Sequence, residues 1–207
     1  MLEFIYLASQ SPRRMQLLEQ LGVRYELLLA DESEDAEALE ETGDRELPAT
    51  YVKRVTQLKL DAAVARLHRR GLPSAPVLCA DTTVACGKTI FGKPTSKKDA
   101  KRMLRQLSDT THRVLTAVAV HSFGSTRSQK ELRAQDLSIS RVTFEYLSDA
   151  QIQTYVTSGE PMGKAGAYAI QGKVAQHITH ISGSYSGIMG LPLRETAWLL
   201  RGAGLNL

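Results

Sequence analysis

The chain is poor in the residues that would tie it to an oxidising compartment, a membrane or a nucleic acid. It has two cysteines, Cys79 and Cys86. Their odd spacing along one predicted strand puts them on opposite faces, so they are not expected to bridge each other there, and a reducing cytoplasm is the expected setting. No apolar run approaches the ~20 residues that span a bilayer, so no membrane association is expected. The start, Met1 to Tyr6, carries Glu3 and no basic stretch, unlike a signal peptide. Aromatic residues are few and the basic residues are scattered, which argues against a stable nucleic-acid groove. Internal repeats and low-complexity tracts are absent.

A length of 207 residues allows one large domain or two small lobes, and either buries a core without staples. The net charge of +4 suits a basic cleft for a phosphorylated small molecule, with a merely solvated surface as the plainer alternative.

Strand-like and helix-like segments alternate. Phe4 to Ala8 is a short apolar strand. Ser11 and Pro12 form a helix start, and the helix runs through Leu17, Leu18 and Leu21 to Gly22. Tyr25 to Leu29 follows as a strand, and Asp31 to Pro48 as an acidic, irregular loop. Ala49 to Arg69 is a long helix, Val77 to Cys86 the clearest strand, and Gly87-Lys88 a hairpin turn with Thr89 to Phe91 returning. Lys97 to Leu107 is an amphipathic helix. Val114 to Ser122 and Ser138 to Tyr146 are strands around a turn at Gly124, and Asp149 caps a helix reaching Val156. After a glycine-rich stretch, Gly163 to Gly172, a strand is expected over Val174 to Ile181 and a last helix over Pro192 to Leu200. The pattern predicts an α/β fold with a mixed sheet flanked by helices.

Four places carry chemistry. At Ser9-Gln10-Ser11-Pro12-Arg13-Arg14 a strand runs into a helix start, where free N–H groups attract an anion and two arginines add forked donors. Cations conflict with the positive end of the helix dipole, which favours a ligand over a solvated first turn. Lys59 falls inside the apolar stripe of the long helix, where an ammonium needs a partner unless its stem snorkels past the core edge; Arg54 points elsewhere. Asp81 interrupts an apolar strand, with Thr82 next to it, and aspartate is depleted there. It is a base, a metal ligand or an ion-pair partner, or else an Asx turn at a strand end. Lys93 stands between Gly92 and Pro94. The run Gly87-Lys88-Thr89 mimics the end of a P-loop but lacks the glycine at position 82 and the following helix. Asp31-Glu32-Ser33-Glu34 could supply a carboxylate to a hard cation or be a charged surface loop. His177 and His180 are split across strand faces and make a poor metal pair. Three cationic sites with acidic residues suit a triphosphate and its metal.

The motifs, taken together, resemble the Maf family of nucleoside triphosphate pyrophosphatases. The likeness runs from Leu7-Ala8-Ser9-Gln10-Ser11-Pro12-Arg13-Arg14 through Tyr51-Val52-Lys53-Arg54 with Lys59, Ala80-Asp81-Thr82 and Gly92-Lys93-Pro94. It continues through Lys164-Ala165-Gly166-Ala167-Tyr168-Ala169-Ile170-Gln171-Gly172 to Gly190-Leu191-Pro192. It implies one domain over residues 1–207, built as two lobes around a deep cleft in the manner of inosine triphosphate pyrophosphatases. It also implies hydrolysis between the α- and β-phosphates, a divalent cation (Mg²⁺ or Mn²⁺) and often a homodimer. Arg13, Thr82 and Gln171 match the branch acting on dTTP and UTP, and the Gln171 amide suits the edge of uracil or thymine. The expected roles are Asp81 as general base, acting directly or through the metal, Glu34 and Asp81 at the metal, and Ser9, Arg13, Arg14, Lys59 and Lys93 on phosphate. The alternatives are the same reaction on 7-methyl-GTP, or a nucleotide-binding regulator of cell division without turnover. The chain departs from the family pattern at Gly163, where Asp is frequent, and at Asp109, where glycine is usual.

Overall fold

The computed structural model describes residues 4–31, 34, 38–43, 45–124 and 131–207. Their strands are β1 (Ile5–Leu7), β2 (Tyr25–Leu27), β3 (Val77–Cys86), β4 (Thr89–Phe91), β5 (Thr111–Ser122), β6 (Leu132–Phe144) and β7 (Ile178–Ser182). The helices are α1 (Pro12–Gln20), α2 (Pro48–Arg69), α3 (Lys97–Leu107), α4 (Asp149–Thr157), α5 (Tyr185–Met189) and α6 (Leu193–Gly202). The strands form one mixed sheet in the order β2-β1-β3-β5-β6-β7. β1 lies parallel to β2 and β3, and the pairs from β3 through β7 are antiparallel.

Period two along β3 assigns its neighbours. Leu78 and Ala80 pack with Leu17 and Leu18 of α1 and Leu199 and Leu200 of α6. Val77 and Cys79 face the other way, onto Leu60, Ala63 and Leu67 of α2. A further apolar cluster joins α3 and α4 to Phe144 and Tyr168. With both faces covered, β3 is buried along nearly its whole length, as central strands with helices on each side are.

One edge of β3 pairs continuously with β5, from Val77 to Ala85. The opposite edge is interrupted. β1 pairs there only at Val77 and Leu78, and β4 only from Val84 onward. The Leu78 carbonyl accepts from Ala8 N at 3.0 Å, so by strand alternation the backbone groups of Ala80 and Thr82 face the gap.

The predicted spans of the central strand, the hairpin and α3 coincide with the structure. Differences lie elsewhere. β5 and β6 begin earlier than predicted, because the antiparallel ladder between Thr111–Ser122 and Leu132–Thr143 carries polar residues into regular pairing. The cap of α4 is Ser148, not Asp149: Ser148 and Gln151 exchange bonds in a capping box. Lys173–His177 is a 3-10 helix, and only Ile178–Ser182 pairs with β6. α5 was not anticipated. The segment after Gly124 and the residue Glu32 lie outside the described residues. Asp109 takes φ 51°, a left-handed conformation that favours glycine.

Candidate active site

The gap in β3 opens into a cleft of about 420 Å³, a size typical of small-molecule sites. Ser9, Arg13, Arg14, Lys59, Asp81, Thr82, Lys93 and Gln171 all line it. Asp81, an odd-numbered residue of β3, faces α2, and Lys59 Nζ donates to its Oδ1 at 2.6 Å. The strand continues through Asp81, so it is no strand-end turn. Thr82 faces the opposite side, toward Arg14. The gap therefore lets one cleft reach both faces of the sheet.

The conflict between two arginines and the dipole of α1 has a structural answer. Arg13 Nε donates to the Met189 carbonyl at 3.2 Å, and Arg14 Nε to the Gly190 carbonyl at 2.8 Å. These acceptors sit at the C-terminal end of α5, where helical carbonyls lack internal partners and the dipole favours cations. Arg14 also donates to Ser9 Oγ at 3.1 Å. Burial draws both guanidinium groups below their ordinary values, and Asp81 offsets part of this at Arg14. The Nη groups of Arg13 have no protein partner among the described residues, which leaves a forked donor for an anion.

Glu34 does not line the cleft. Arg66 grips it through two bonds, at 2.7 and 2.5 Å, and Arg69 adds a third at 2.8 Å. The hydrogen bond from Arg66 leads in pulling the Glu34 carboxyl down to about 2. The carboxylate that joins Asp81 in the cleft is Glu40, on the short 3-10 helix Ala38–Glu40. Its Oε1 accepts from Lys59 at 2.7 Å, and its two oxygens accept from Lys93 at 3.0 and 2.9 Å. Burial alone would raise the Glu40 carboxyl, but the two lysines outweigh it and the net shift is downward. Lys59 is likewise lowered by burial and raised further by Asp81 and Glu40, for a net rise. Tyr51 Oη donates to the Glu40 carbonyl at 2.9 Å. Burial, then Asp81 and Glu40, push that phenol up to about 12.

Sequence reasoning missed Glu40, Tyr51 and Lys164, all of which line the cleft. Glu40 lay in an acidic stretch without periodicity, so nothing local distinguished it. Lys164 was visible within the glycine-rich stretch and went unused. Arg54 does turn away, to Glu46 at 2.8 Å. Gly166 explains part of that stretch: it adopts φ 68°, and a Cβ there would lie 2.9 Å from Val84. Its N–H donates to the Gly92 carbonyl at 3.1 Å, docking the Gln171 loop beside Lys93.

Such a cleft, with five cationic side chains and two carboxylates on a mixed α/β sheet, is suited to a polyanionic small molecule. The chain belongs to the Maf family, whose model, described as a Maf-like protein, matches residues 4–203. A dTTP/UTP pyrophosphatase of Albidiferax ferrireducens is 67% identical over 207 residues, covering 100% of both chains. Another of that name from Polaromonas sp. is 65% identical over 205 residues, covering 99% of this chain and 98% of that one. Among solved structures, the Ham1 protein of Staphylococcus aureus aligns over 67% of this chain and 71% of that one, with TM-score 0.35 and 13% identity, a likeness too distant to bear on the site. No helix among the described residues is long and apolar enough to cross a membrane.

Proposed function

We propose that the chain hydrolyses dTTP and UTP to the monophosphate and pyrophosphate. The observation that carries this reading is the meeting of Arg13, Arg14, Lys59 and Lys93 with the carboxylates Asp81 and Glu40 in one cleft. The names of the two near-full-length relatives support the substrate. The chain is read as one domain of residues 1–207, whose two lobes are the cluster around α3 and α4 and the clusters around α1, α2 and α6.

The arginines, with Ser9, hold the triphosphate oxygens, and the lysines offset charge as it shifts to the leaving group. Asp81 is fixed through Oδ1 by Lys59, so its Oδ2 is left to take a proton from water. That water attacks the α-phosphorus, the bond from the α-phosphorus to the α–β bridging oxygen breaks, and pyrophosphate departs with the bond electrons. The proton on Asp81 then returns to solvent.

The donor set fits a hard divalent cation. Asp81 and Glu40 converge on one ammonium, and Mg²⁺ commonly needs only one or two carboxylates beside substrate phosphates. No group of three acidic, histidine or cysteine ligands occurs among the described residues, so the substrate would complete the shell. Asp81 and Glu40 would hold such an ion, in place of the Glu34 and Asp81 pair expected from sequence. It would supply positive charge at the phosphates.

The test is pyrophosphate release from a panel of nucleoside triphosphates with Mg²⁺, Mn²⁺ or chelator. Turnover of dTTP and UTP above that of purine triphosphates is expected. Tight nucleotide binding without pyrophosphate release, or 7-methyl-GTP as the best substrate, overturns the reading.

A further inference from the structure

We propose that Thr116, which does not line the cleft, sets the direction of the Thr82 hydroxyl proton and so selects uracil and thymine over cytosine. The inference rests on the pyrimidine reading above and deepens it.

Thr116 is fully buried on β5, directly across the ladder from Thr82. Its Oγ1 lies 2.7 Å from the Gly187 carbonyl oxygen. Two oxygens that close need a proton between them, and only the threonine has one. The same Oγ1 lies 3.0 Å from Thr82 Oγ1. Since the one Thr116 proton is committed to Gly187, Thr82 must be the donor in that second bond. The geometry thus orders a chain of protons from Thr82 to Thr116 to Gly187.

Thr82 is left with lone pairs alone. One faces Arg14, whose Nη2 lies 3.5 Å away and can only donate. The neighbouring Gly190 has no side chain to cover the hydroxyl: a Cβ there would stand 3.6 Å from Thr82 Oγ1. Thr82 lines the cleft and therefore offers a ligand an acceptor and no donor. The ring edge of uracil or thymine has a single hydrogen-bond donor, the N3–H imide. In cytosine N3 is itself an acceptor, which meets the Thr82 lone pair unfavourably. Thr116 is a positioning residue: it touches no substrate but fixes what Thr82 can say to one.

The experiment compares kcat/KM for UTP and CTP, by pyrophosphate release, in the wild type, T116S, T116V, T82V and T82V/T116V. Melting temperatures are recorded on each preparation. Valine keeps the shape of threonine but frees the Thr82 proton to swing toward the ligand. In T116V the UTP-to-CTP ratio is expected to fall at least about tenfold, the scale of an unpaired polar group at a binding edge. T116S keeps the relay and holds the ratio within about twofold of the wild type. In the T82V background the Thr116 substitution leaves the ratio unchanged. Should T116V not fold, T116C, with its feeble acceptor, is expected to shift the ratio in the same direction. An unchanged ratio in T116V or T116C, with both substrates declining together, shows a packing role and overturns the proposal. A shift that persists without the Thr82 hydroxyl overturns it too. A wild-type protein that releases no pyrophosphate from UTP refutes the pyrimidine reading itself.

Discussion

Replacing Asp81 by asparagine keeps the shape of the site and removes the carboxylate proposed as its base. The Asp81 side chain is 11% exposed and bound to Lys59 at 2.6 Å. Removing one member of a buried ion pair is costly when the other is stranded. Here Lys59 keeps Glu40 at 2.7 Å, and the asparagine carbonyl still accepts its hydrogen bond. What is lost is the charge assistance of one bond, about 1 kcal/mol, or roughly 2–4 °C in a chain of this size. An amide accepts no proton from water and is a poorer ligand for a hard cation. Turnover should fall about a hundredfold or more, at least ~2.7 kcal/mol in the barrier. Nucleotide should still bind, and more tightly as one negative charge near the phosphates is gone. Pyrophosphate release, nucleotide affinity by calorimetry and melting temperature on one preparation test all three. A folded variant with wild-type turnover would refute the base. So would an unstable variant whose folded fraction is fully active, because Asp81 would then be only a structural partner of Lys59.

Lys59→Ala should lower both turnover and melting temperature, since Asp81 loses its partner, whereas the exposed Lys93 gives mainly a kinetic loss in Lys93→Ala. Each should cost on the order of 2–4 kcal/mol in kcat/KM, and steady-state kinetics beside thermal melts separates them. Glu34→Gln should leave turnover unchanged while Glu40→Gln alters it, and equal activity in both variants would remove Glu40 from the site. The Glu34 carboxyl sits at about 2 against an ordinary 4.5, so its stabilisation is present above pH 4.5 and is lost as pH falls toward 2. Urea melts should show the gap between wild type and Glu34→Gln shrinking across that window. Gly166→Ala forces a left-handed alanine against Val84 and should cost roughly 2–4 kcal/mol from strain and overpacking. Lost pyrophosphate release should accompany it; wild-type melting and kinetics would show that the loop tolerates the methyl.

Much of the fold was legible because its signals are local. The apolar run before and after Asp81 marks β3, Gly87-Lys88 marks the hairpin, and the stripe Ala100, Met103, Leu104, Leu107 marks α3. The residues that line the candidate site stood out where they violated local expectation: cations at a helix start, a lysine in an apolar stripe, an aspartate inside a strand. Glu40 violates nothing, since an acidic residue in an acidic loop is ordinary, and only the folded chain brings it to Lys59 and Lys93. α5 was hidden because five residues are too few for a period to emerge, yet its last carbonyls hold Arg13 and Arg14. The polar ends of β5 and β6 were hidden for the opposite reason, as pairing with a neighbour imposed a strand that composition did not favour.

The break in pairing along β3 has a consequence for how such a site can change. The rungs at Ala80 and Thr82 offer main-chain atoms, which every amino acid except proline shares, so other substitutions there leave that part of the wall unchanged. Recognition along this edge is altered only by changing the lengths of β1 and β4, and extending either by a residue pair would zip the opening shut. Two rungs are also too short a template to recruit a strand from another molecule. Among the described residues the sheet thus keeps an unpaired stretch at its centre, long enough for a small ligand and too short for a second polypeptide.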